Sequence, residues 1–163
     1  MTHYPFYFVL MAMIFTLPAA FSHPVHQVAK LGPTPQSEPQ VIPFAKVQQH
    51  KLGNSTLQGL ATRSLGARQH EVWRSVIEPG GKTPFHTHDS EETFVFLSGE
   101  GVIKYGDKTV SFKAPCTVIA PGGIPHQVIN TGKVATEQIV IVSVGSKIKS
   151  VKTGKELKLP WRL

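Results

Sequence analysis

The sequence predicts an all-β protein: a single antiparallel sandwich or barrel, with an extended N-terminal arm and a short C-terminal tail. Three observations lead there. Short apolar, β-branched runs recur from Val41 onward, separated by turn signals such as Gly106-Asp107. No segment carries a long helical period. No internal repeat is present, so the chain reads as one unit. Many short strands at this cadence are how an antiparallel sandwich or barrel appears in sequence.

The first 22 residues read as a signal peptide, with an apolar stretch through Pro5 to Phe15 and small residues at Ala20 and Ser22 ahead of His23. Its n-region carries His3 but no Lys or Arg. Roughly sixteen apolar residues are too few for a membrane span. Cleavage leaves about 140 residues, enough for one core and too few for two. Residues 23–43, rich in Pro, Gln and Ser, form the extended arm. The barrel is expected over 44–145, with strand runs at 72–77, 93–97, 101–105, 109–112, 117–120, 127–129 and 139–144. Residues 146–163 form a basic tail.

Within the barrel, His86 and His88 stand one residue apart, followed by Glu92 and, much later, His126. In an extended strand, side chains at i and i+2 share a face, so both histidines point inward. A turn at Asp89-Ser90-Glu91 is expected to bring the next strand back alongside the first, with Glu92 at its start. His126 then adds a fourth ligand from across the barrel. Three imidazoles and one carboxylate suit a divalent transition metal and leave one or two positions for water or a ligand.

The flanks of these residues carry a family pattern. Gly80 through His86, His88, Glu92 and Gly99 fit G-x5-H-x-H-x3-E-x6-G, and Pro121, Gly123, His126 and Asn130 fit P-x-G-x2-H-x3-N. These are the two cupin motifs, in order, so the chain resembles a single cupin-type β-barrel or jelly roll. Pro115 stands where the family usually has a glycine and is expected to alter one turn.

A narrower resemblance rests on His70-Glu71-Val72-Trp73-Arg74, Glu78-Pro79-Gly80, Thr83-Pro84, Glu91-Glu92-Thr93-Phe94, His126 through Gly132, Gln138 through Ser143, and Leu157 through Pro160. These segments are similar to the plant auxin-binding family, and less so to the larger germins. The resemblance implies one divalent metal ion on His86, His88, Glu92 and His126, zinc first and manganese as the alternative. It implies a small aromatic carboxylic acid, auxin-like, with its carboxylate on the metal and its ring near Thr83, Pro84 and Phe94. Thr83 is the candidate to orient the carboxylate. The family's paired terminal cysteines are replaced here by Cys116 alone, which reads as a buried, inert thiol or, in an oxidising compartment, an intermolecular bridge. The aromatic pocket wall of the family's tail is missing, and Trp161 is the candidate substitute.

Two functions from different classes follow. The first is a secreted metal-containing binding protein, acting in signalling with a membrane receptor and expected as a homodimer. The second is a germin-like extracellular manganese or iron oxidoreductase of superoxide dismutase or oxalate oxidase type. No nucleophile or general base beside the four ligands favours catalysis, so no catalytic residue is assigned. Asn54-Ser55-Thr56 is a glycosylation sequon, marking Asn54. The chain ends Trp161-Arg162-Leu163 without a Lys-Asp-Glu-Leu signal, so secretion to the apoplast is expected over retention in the endoplasmic reticulum. An N-terminal His23 could chelate copper but lacks a placed second histidine. The net charge is +7, and residues 145–163 hold Lys147, Lys149, Lys152, Lys155, Lys158 and Arg162 against Glu156 alone. That tail suits an anionic matrix or a receptor ectodomain. Nucleic acid is excluded, because no aromatic side chains interleave with the basic ones as a stacking platform requires.

Overall fold

The computed structural model describes residues 38–163. The expected signal peptide, His23 and most of the arm lie outside the described residues. From Glu38 the chain is irregular up to one 3-10 turn at Phe44–Lys46. Gln58 anchors that turn, its amide donating to the carbonyls of Phe44 (2.8 Å) and Val47 (2.9 Å).

Eleven strands follow among the described residues: β1 (Gln49–Leu52), β2 (Ser55–Ala61), β3 (His70–Ile77), β4 (His86–His88), β5 (Glu92–Ser98), β6 (Glu100–Tyr105), β7 (Lys108–Lys113), β8 (Cys116–Ala120), β9 (His126–Asn130), β10 (Thr136–Ser143) and β11 (Ile148–Ser150). They form two antiparallel sheets, ordered β1-β2-β3-β10-β5-β8 and β11-β4-β9-β6-β7. Among the described residues both sheets keep open edges, so the architecture is a jelly-roll sandwich rather than a closed barrel.

Period-two alternation builds the interior. Trp73, Ser75 and Ile77 of β3 are buried while the residues between them are half-exposed, and Gln138, Val140 and Val142 of β10 follow the same rule. Phe94 and Phe96 of β5 join them from the same sheet, and Ile103, Phe112 and Val128 close the core from the other. Phe96 and Phe112 stack with ring centroids 3.8 Å apart, pinning sheet to sheet. Each such side chain stabilises the fold by about 1.5–3 kcal/mol through burial.

The motif residues outside the histidines have structural work. Gly99, at φ 83°, makes the turn between β5 and β6, and a Cβ there would lie 2.8 Å from Thr136 Cα. Asn130 is fully buried and fully satisfied: its amide donates to Ile77 and Val134 carbonyls at 2.8 and 2.9 Å, and its oxygen accepts from Gly132 N–H at 2.9 Å. Pro115 sits in the bend between β7 and β8, where the Ala114–Pro115 bond is cis.

Three expectations change. β5 does not return beside β4; it joins the other sheet, between β10 and β8, while β4 lies between β11 and β9. The Asp89–Glu91 segment carries the chain across the sandwich instead of closing a hairpin, because its polar groups are tied elsewhere. Asp89 accepts from Ser146 Oγ (2.9 Å) and Lys147 N–H (2.8 Å), and Ser90 Oγ donates to Ser146 Oγ (2.7 Å).

Second, part of the segment read as a tail is structural. β11 pairs with β4 in the register Ile148 to His88 and Ser150 to His86. Beyond it, Arg162 reaches back to Glu71 on β3, with Nε donating to Oε2 at 2.6 Å and Nη2 to the same oxygen. Glu71 is 1% exposed, so the arginine neutralises a buried charge. Third, β1, β2 and β11 escape the sequence pattern, since Ser55–Ala61 includes Gln and Gly and Ile148–Ser150 is three residues in a basic run. Cys116 is only partly buried, against the core on edge strand β8.

Candidate metal centre and adjoining cavity

His86 and His88 point to one side of β4, as their spacing requires, and both are buried. His126 does not come from across the sandwich; it is the register partner of His86 on neighbouring β9. Glu92 is the candidate ligand that crosses, from the first position of β5 in the opposite sheet. One ligand atom from each of the four lies within 4.8 Å of the others, and all four residues are buried.

Local hydrogen bonds aim the rings. His86 Nδ1–H donates to the Pro84 carbonyl at 2.7 Å, and His126 Nδ1–H donates to the Ile124 carbonyl at 3.0 Å. A carbonyl can only accept, so in each neutral ring Nε2 carries the free lone pair. Those lone pairs converge. His86 Nε2 is 3.0 Å from His88 Nε2, and Glu92 Oε2 is 2.6 Å from His126 Nε2 and 3.2 Å from His88 Nε2. Acceptors this close are held together by a shared proton or a shared cation.

The electrostatics agree. Burial pushes the Glu92 carboxyl up, but the hydrogen bonds from His126, His86 and His88 outweigh it and hold it well below the usual carboxylate range. Burial lowers His126, and its hydrogen bond and charge contact with Glu92 raise it above the ordinary imidazole value. The centre therefore keeps its carboxylate ionised and attracts positive charge. A buried three-histidine, one-glutamate set of this kind is able to bind a divalent metal ion.

A cavity of about 210 Å³ adjoins the centre, with His86, His88 and Glu92 in its lining. Thr83, Pro84 and Phe94 line it too, so the structure brings all three expected lining residues into one cavity with His86, His88 and Glu92. Thr83 is anchored by its hydroxyl oxygen, which accepts from Val128 N–H at 3.0 Å and keeps its own hydrogen to donate. Trp161 is not in the lining. It packs behind Trp73, ring centroids 5.8 Å apart, and the aromatic wall is Trp73 together with Phe94. Leu157, Lys158 and Leu159 of the C-terminal segment also line the cavity, with Ser75 and Gln138 deeper in the sandwich. Trp73, Ser75 and Gln138 could have been found from alternation along β3 and β10. The C-terminal residues carry no such signal. Asn54 is exposed in the β1–β2 turn and is not part of this lining.

Residues 73–142 match the cupin domain family. Over those residues the chain has the cupin fold. The chain further resembles the auxin-binding proteins. It is 34% identical over 87 residues to auxin-binding protein 1 of Arabidopsis thaliana, covering 48% of this chain and 44% of that one. It is 33% identical over 101 residues to auxin-binding protein T85 of Nicotiana tabacum, covering 56% and 53%. The chain thus spans about half the length of these curated relatives. Among solved structures, the polyketide cyclase RemF of Streptomyces resistomycificus superposes with a TM-score of 0.62 at 18% identity, covering 70% of this chain and 86% of that one. A likeness at that identity concerns the fold alone.

Proposed function

We propose that this cupin is a secreted binding protein for a small aromatic carboxylic acid of auxin type. The observation that carries the proposal is the continuity between the buried three-histidine, one-glutamate centre and a cavity walled by Trp73, Phe94 and Val140. His86, His88, Glu92 and His126 would hold a zinc ion, whose positive charge supplies an anchor for the ligand's carboxylate. Thr83 offers a hydroxyl to orient that carboxylate, and Pro84 and Phe94 bound the ring. The cavity is smaller than the ~300–1,000 Å³ of drug-sized sites, which suits a one- or two-ring acid. Similarity to proteins named auxin-binding supports the same ligand class.

In this function the chain enters the secretory pathway through residues 1–22, is glycosylated at Asn54, pairs as a homodimer and works with a membrane receptor. Elemental analysis of protein purified from a secreting host, followed by titration calorimetry with indole-3-acetic acid, tests it. Stoichiometric zinc and binding that is lost in His126→Ala are expected. Manganese or iron together with superoxide- or oxalate-consuming activity would overturn the proposal in favour of a germin-type oxidoreductase.

A further inference from the structure

Gln138 is 1% exposed, lies in the cavity lining, and shares its face of β10 with the apolar Val140 and Val142. Its neighbours in register are Ser75 on β3 and Phe96 on β5. Its amide Nε2 donates to Ser75 Oγ at 3.2 Å, but its carbonyl Oε1 is buried with no hydrogen-bond partner. A buried, unpaired carbonyl is costly, and it is retained where something else supplies the donor.

Its position tells what that donor is attached to. Phe96 is four residues along β5 from the ligand Glu92, about 13 Å of strand at roughly 3.3 Å per residue. Between the two levels lies the layer of Trp73, Val140 and Phe94. A molecule anchored by its carboxylate at the metal centre and packed between those side chains therefore turns its ring toward Gln138. Oε1 is neutral and only accepts, so it selects a neutral N–H or O–H and not a second carboxylate.

We propose, on the strength of the ligand-binding function above, that Gln138 is the specificity residue of this site and accepts a hydrogen bond from a ring N–H or O–H of the ligand. The natural ligand is then an aromatic acid with a hydrogen-bond donor on its ring. Ser75 positions the amide by occupying its Nε2.

Calorimetry on the zinc-loaded full chain with two acids of one shape tests this. Indole-3-acetic acid carries the ring N–H, and benzothiophene-3-acetic acid has sulfur in its place. The indole acid is expected to bind at least about tenfold more tightly, since a site built around a hydrogen bond rejects the analogue lacking its partner. Gln138→Met removes the acceptor at similar volume and is expected to bring the two affinities together while zinc content stays unchanged. Gln138→Glu, which keeps an acceptor, is expected to preserve the preference. Equal affinities in the unmodified protein would overturn the assignment of Gln138 and leave the acid-binding function standing. Binding of neither acid by zinc-loaded protein would remove both.

Discussion

His86 and His126 face each other as register partners across β4 and β9, and each donates its Nδ1–H to the carbonyl two residues before it. The shared geometry sets both rings with Nε2 toward the same point, where His88 and Glu92 complete the set. Removing one ring breaks a preorganised pair. His126→Ala is expected to weaken zinc binding by well over ~100-fold, because loss of an outer hydrogen-bond partner alone costs roughly 10–100-fold in metal sites. Competition with a chromophoric chelator measures it. Zinc affinity within tenfold of the unmodified protein would remove His126 from the ligand set.

The 2.6 Å contact between Glu92 and His126 gives the metal-free protein a defined pH dependence. Glu92 is depressed below its ordinary value of 4.5, so its contribution is complete above that pH and is lost as pH falls through the lower folded value. His126 is raised above its ordinary 6.5, so its contribution is complete below 6.5 and is lost as pH rises through the higher folded value. The two describe one ion pair, which is fully formed between 4.5 and 6.5. Thermal melts in chelator should show maximal stability inside that window. With zinc bound, stability should instead keep rising past it, since protons and metal compete for the same nitrogens. Identical profiles with and without zinc would contradict this.

Arg162 and Glu71 are 91 residues apart in the chain and joined in the fold. Truncating the arginine strands a carboxylate in the interior. Arg162→Ala is expected to destabilise the protein by about 3–5 kcal/mol, and the double change Glu71→Met with Arg162→Met to recover much of that loss. Urea denaturation decides. A cost below about 1 kcal/mol would mean the pair behaves as an exposed one.

Five of the six basic residues after Gly145 are exposed lysines, whereas Arg162 is paired and Lys158 borders the cavity. The charge available to an anionic partner is therefore Lys147, Lys149, Lys152 and Lys155. Changing these four to glutamine should weaken retention on a polygalacturonate matrix at low salt and leave zinc and acid binding unchanged. Retention equal to that of the unmodified protein would count against a matrix-binding role. Loss of acid binding would show that the segment supports the cavity instead.

What the sequence determined is local. The one-residue gap between His86 and His88 forces both onto one face of any extended strand, and the apolar runs after Trp73 carry the alternation of strands buried on one side. Gly99 is legible because the turn's φ of 83° is one that glycine adopts without strain. Tertiary structure decided which strands are neighbours. That choice placed Glu92 in the sheet opposite the histidines, put His126 beside His86, and moved Trp161 behind Trp73 rather than into the cavity. It also drew Leu157 and Leu159 into the lining and left the Gln138 carbonyl unpaired inside it. Side-chain spacing within a strand is set by backbone geometry over a few residues. Pairing between strands depends on how the whole core packs, and no short window of sequence contains that information.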